Sequence, residues 1–107
     1  MKNVQAPTSS SYQEYLISSL QSLKRAAGYI SVALELEEEG REPELLRAML
    51  KDVIDARVQA GNLSEAAKLH YEKLDKMIAA TGGDEIYTLI ELLDALGYVI
   101  AIAPKED

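Results

Sequence analysis

His70 is the one side chain here with a base or metal-binding nitrogen near neutral pH, and it stands alone. It is the only histidine among 107 residues, and there is no cysteine. A thiol nucleophile, a disulfide scaffold and a cysteine-based zinc site are therefore excluded. A serine hydrolase would need His70 as its base, and the motif around it is wrong for that chemistry. The chain has no metal-ligand cluster, no Gly-rich phosphate loop and no catalytic triad. No catalytic residue, metal site or cofactor is predicted, and the chain reads as a non-enzyme. Its acids outnumber its bases, 18 Asp and Glu against 11 Lys and Arg, for a net charge of −7.

The elements that would carry any site belong to one small domain. A length of 107 residues with 48% hydrophobic and 27% charged residues fits a single globular unit. No apolar run approaches the roughly 20 residues that span a bilayer, so no membrane association is expected. The start, MKNVQAPTSSS, lacks the apolar stretch of a signal peptide. A cytoplasmic protein is the expectation. Residues 1–10 are polar, hold Pro7, and read as a flexible N-terminal arm. Residues 11–107 read as one domain.

Order is predicted to begin at Ser11, where Ser11-Tyr12-Gln13-Glu14 has capping-box spacing. Tyr12, Tyr15, Leu16 and Leu20 follow at helical spacing, with the tyrosines expected in the core or at its rim. A second helix is predicted from Leu23 to Glu39, with Ala26, Ala27, Ile30, Ala33 and Leu34 on its buried stripe. Its end at Glu37-Glu38-Glu39 is unfavourable against the helix dipole and should fray. The third helix starts at Pro43, a good first helical residue. Leu45, Leu46, Met49, Leu50, Val53, Ile54 and Val58 make it the strongest helix, closed by Gly61. Two short helices then follow: Leu63 to Ala67, opened by Asn62, and Tyr71 to Ala80, with a break at Lys68-Leu69-His70. After the turn at Thr81 to Asp84, Ile86, Leu89, Ile90, Leu92, Leu93 and Leu96 predict an amphipathic helix stopped by Gly97. Tyr98 to Ala103 is rich in β-branched residues and reads as one β-strand. A lone strand has no partner of its own, so Tyr98, Val99, Ile100, Ala101 and Ile102 are predicted to pair with another chain, most simply a second copy.

Two short helices joined by a tight break suggest a helix-turn-helix. That motif needs an apolar and a small residue in its first helix, a turn glycine, an apolar anchor, and a buried residue in its second helix. Leu63, Ser64, Leu69 and Leu74 fill these places. Lys68 stands where the turn glycine belongs, and the kept spacing of Leu69 and Leu74 predicts an unaltered turn with Lys68 left-handed. Residues 57–80 carry a net charge of +1 and the rest of the chain −8, a thin basic surface for phosphates.

Several pieces in order resemble one family. These are Tyr12-Gln13-Glu14-Tyr15-Leu16, Ala26-Ala27-Gly28-Tyr29 leading to Ala33-Leu34-Glu35, Glu44-Leu45-Leu46 with Asp52-Val53, and Thr88 to Tyr98. Together they resemble the addiction-module antidote proteins, antitoxins with a lambda-repressor-like (Xre) helix-turn-helix. The resemblance covers about residues 12 to 102. It implies a dimeric autorepressor that binds operator DNA and pairs with a RelE/ParE-type toxin. It also implies a recognition helix from Tyr71 to Ala80. His70, Tyr71, Glu72, Asp75 and Lys76 would then face the groove, with Lys73 near phosphate.

The expected fold is mainly α: five or six helices around a helix-turn-helix, with one C-terminal β-strand. The expected function is a DNA-binding transcriptional regulator of the antitoxin kind. The alternative is a protein-interaction or dimerisation module whose helix-turn-helix scaffold has lost DNA binding, a reading favoured by the missing turn glycine and the acidic balance.

Overall fold

A computed structural model describes residues 9–36 and 38–105. It holds five helices: α1 (Ser9–Ser19), α2 (Leu23–Ala33), α3 (Pro43–Ala60), α4 (Glu65–Thr81) and α5 (Asp84–Ala95). The expected arm falls largely outside the described residues. Ser11 lies inside the first turn of α1 rather than capping it. Ile17 and Leu20 are the residues of this segment that the core takes up, while Tyr12 and Tyr15 stay exposed.

Side-chain caps explain two of the helix starts. The Ser22 hydroxyl accepts the Arg25 N–H at 3.2 Å, and the Ser64 hydroxyl accepts the Ala67 N–H at 3.0 Å. Each satisfies a donor that the first helical turn leaves free. Ser64, not Asn62, opens α4. The second helix stops at Ala33, six residues before its predicted end at Glu39. The sequence that follows is acidic, and carboxylates at the negative end of a helix dipole oppose extension.

The two short helices are one. Residues 65–81 form a single 17-residue helix, and no non-glycine residue among those described has a positive φ. Lys68 is therefore helical, and the left-handed turn expected there is not formed. Between Glu65 and Ala80 there is no Gly or Pro, and Ala, Leu, Lys, Glu and Met dominate. These are the strongest helix formers, and nothing in the sequence repays the cost of a break.

The C-terminal strand is also absent: no strand is present among the described residues, and 98–105 run as irregular chain after α5. A strand exists only as a hydrogen-bonded pair, and β-branched composition supplies no partner backbone. Gly97 sets the direction of this tail. With φ +94°, it closes α5 in a Schellman motif, where Gly97 N–H donates to Asp94 O at 3.0 Å and Tyr98 N–H to Leu93 O at 2.8 Å.

The third helix is the strut, packing against α1, α2 and α4. One cluster joins Ala33, Leu46, Ile78, Tyr87 and Ile90, and thereby four helices. A second joins Ile17 and Leu20 of the α1 region to Ala56 of α3, with Tyr29 and Val53 beside it. Leu46 and Ile78 are 1% and 2% exposed, and burial of each contributes about 1.5–3 kcal/mol. Asp52 fastens the same faces together: it accepts Gln13 Nε2 at 2.7 Å and the Tyr29 hydroxyl at 2.6 Å.

The continuity of α4 gives a direct test. Lys68→Gly places glycine in an exposed helix interior and is expected to lower stability by about 1 kcal/mol. A urea melt should show a lower midpoint with an unchanged slope. A rise in midpoint would mean that Lys68 is held left-handed.

Candidate functional site

The residues expected to read DNA all lie on α4, but they do not share one face. His70, Glu72, Lys73 and Lys76 are exposed. Tyr71 and Asp75 are half-buried and turn toward α3. Asp75 is gripped by Arg47, whose Nε and one Nη donate to its two carboxylate oxygens at 2.9 and 3.1 Å. Hydrogen bonding to that guanidinium holds Asp75 below the usual carboxylate range, against the opposing effect of burial. Tyr71 and His70 line a shallow apolar groove of about 240 Å³ with Ile30, Leu50, Ile54 and Leu74. Burial pushes the Tyr71 hydroxyl pKa upward.

A second ionic clamp holds the loop before α3 to α5. Arg41 donates to both oxygens of Glu91, at 2.8 and 2.7 Å, and to Asp84 at 2.8 Å. Its guanidinium carbon lies 5.7 Å from the centroid of the Tyr87 ring, and the Tyr87 hydroxyl accepts the Glu42 N–H at 3.2 Å. The hydrogen bonds from Arg41 lower the pKa of Glu91. The α2–α3 loop is thereby fixed beside the C-terminal end of the molecule.

That end carries an apolar surface wider than the core can use. Ile86, Ile90 and Leu93 of α5 turn inward. Leu89, Leu92 and Leu96, spaced three and then four residues apart, form a second stripe beside them, each more than half exposed. The tail adds two more exposed apolar side chains, Val99 at 81% and Tyr98 at 64%. Of the five residues expected to pair with a second chain, only Ile100 packs against the core. Ala101 is exposed, and the Ile102 N–H donates to the Ser31 hydroxyl at 2.8 Å.

Between tail, α5 and the end of α2 lies a cavity of about 330 Å³. Its apolar walls include Leu34, Leu36, Ile90, Leu93 and Ile100, and Glu35 and Asp94 contribute its carboxylates. Of the cavity residues, Tyr98, Val99 and Ile100 were expected in the sequence as strand-pairing positions, while Leu34, Glu35, Leu36, Ile90, Leu93 and Asp94 were not legible as a site. The signal that was present is the apolar arc of α5: six large apolar residues within Ile86 to Leu96 exceed one buried stripe. Among the described residues no group of three or more acidic, His or Cys side chains could hold a metal ion.

The clamps predict a pH response. Asp75 and Glu91 ionise more readily folded than unfolded, so their contribution is complete above the unfolded value of about 4 and drains as pH falls through the lower folded value. Asp75→Asn and Glu91→Gln should each lower stability near neutral pH. The difference from the unaltered chain should shrink below about pH 4. Urea melts across that range check this, and a pH-independent difference would show that neither pair is ionic in origin.

With this geometry in view, no protein family, curated protein or solved structure matches the chain.

Proposed function

We propose that this chain works by binding another protein, as an interaction module of the alternative kind set out above. The observation that carries this is the group of large apolar residues left more than half exposed in α5 and the chain that follows it: Leu89, Leu92, Leu96, Tyr98 and Val99. A contiguous apolar patch costs solubility, and monomeric proteins keep large ones only where they are used. Among the described residues, the tail's backbone donors at Tyr98 and Ile102 are engaged, and the non-helical backbone around them is of the kind an incoming chain can pair. A RelE/ParE-type toxin, implied by the resemblance, belongs to this partner class. So does a second copy meeting through Tyr98 to Ile102.

The direct test is site-specific photocrosslinking in cells. A benzophenone amino acid at Val99 or Leu92 should give a discrete protein adduct, and the same probe at Gln59, exposed near the end of α3 and bonded to Gln21, should give none. An adduct-free Val99 would remove the reading.

The second reading is the DNA-binding autorepressor of the antitoxin kind. It is favoured by Lys68, Lys73 and Lys76, which are exposed on α4 and form no ion pair with a described residue. Since α4 is one helix, docking would use its outer face alone, with His70 and Glu72 beside the lysines. Lys73→Ala and Lys76→Ala should then each reduce the salt slope of promoter binding by roughly one. A gel shift that finds no complex at low salt would exclude it.

A further inference from the structure

We infer that the cavity between the tail and α5 is a docking pocket for a basic amphipathic segment of a partner protein, which inserts one branched apolar side chain between two carboxylates. The inference rests on the interaction reading above and names the chemistry of its partner.

The geometry has two parts. The walls supplied by Leu34, Leu36, Ile90, Leu93 and Ile100 enclose about 330 Å³, ample for a leucine or isoleucine side chain. Burial of an anchor of that kind in a pre-formed pocket is the usual source of affinity at a protein interface. The second part is charge. Glu35 and Asp94 both line the cavity, both are exposed, and neither is ion-paired with a described residue. Among the described residues, no lysine, arginine or histidine lines it. The contrast with the neighbouring clamp is informative: Arg41 neutralises Asp84 and Glu91 on the adjoining side of α5, while Asp94 forms no ion pair with a described residue.

Charge also selects among occupants. Glu38 and Glu39 follow Glu35 in the chain and are exposed as well. From Asp84 to Gly97 there are four carboxylates and no basic residue. A second copy carries the same net charge of −7 and would bring acid against acid. A segment with lysine or arginine on either side of its anchor meets both carboxylates and gains at the same time in encounter rate.

The test uses the whole chain and two fluorescent synthetic peptides with the same leucine pattern, one with lysine and one with glutamate at its polar positions. Anisotropy should detect binding of the lysine peptide and none of the glutamate peptide, and added salt should weaken it. Glu35→Gln and Asp94→Asn, both exposed changes, should each weaken binding about twofold and together about fourfold, as exposed ion pairs do. Amide resonances of residues 34–36 and 93–100 should shift. Equal binding of both peptides, no binding, or shifts confined to other surfaces would each overturn the proposal. An adduct at Val99 with any of those results would leave the interaction reading standing and refute its basic partner. Loss of both would refute the two together. Concentration-dependent self-association that fills the same resonances would assign the pocket to a second copy instead.

Discussion

Burial of Leu46 among Ala33, Ile78, Tyr87 and Ile90 is the contact on which the other arrangements depend. Each of four helices gives one or two residues to it, so each helix is placed by a small apolar area. The α4–α5 connection shows what that demands. Gly82 and Gly83 both take positive φ, and a side chain on Gly83 would sit 3.3 Å from the Tyr87 ring. The chain reverses within two residues for Ile78 and Tyr87 to meet, and the positive φ at both positions favours glycine. Arg41 then secures the α2–α3 loop over the same tyrosine. A change at Leu46 therefore reaches the C-terminal surface, since Ile90 and the tail residue Ile100 pack in the same cluster.

Charge is distributed by the same packing. Arg41, Arg47 and Lys51 are engaged with carboxylates at 2.7–3.3 Å. These pairs join segments distant in sequence or lie within α3, and being exposed or half-exposed they do more to fix geometry than to add stability. The cations that form no ion pair with a described residue include three lysines on the outer face of α4, while carboxylates gather at the α2–α3 loop and along α5. The molecule is thus polar in the electrical sense, with its unbalanced acid close to its apolar surface. That proximity separates an adhesive patch from a selective one, because charge beside an apolar anchor rejects partners of the wrong sign.

Helix existence was legible from local signals. Pro43, Gly61, Gly97 and the apolar stripes of α3 and α5 mark elements that are present where expected. The helix-turn-helix break was inferred from the places of Leu63, Ser64, Leu69 and Leu74 in a motif, against the local preference of Ala66 to Leu74 for one helix. Local preference won, since Lys68 offers no release from the helix and no tertiary contact there requires one. The strand failed for the reverse reason. Val99 and Ile100 favour extended backbone, but pairing is a property of two segments, and one sequence window holds only one of them.

The sequence by itself determined a mainly helical chain, acidic and without cysteine chemistry, with an α5 more apolar than one buried face requires. Composition, periodicity and capping residues act within a few residues of themselves, so they are readable in order along the chain. Only the tertiary structure decided which apolar residues α3 and its neighbours would take up and which would stay outside. It also decided that Asp75 would face Arg47, and that Glu35 and Asp94, 59 positions apart in the chain, would line one cavity. Those outcomes depend on how helices cross and how loops reverse. The energies involved are shared among many weak contacts, and no single residue type announces them.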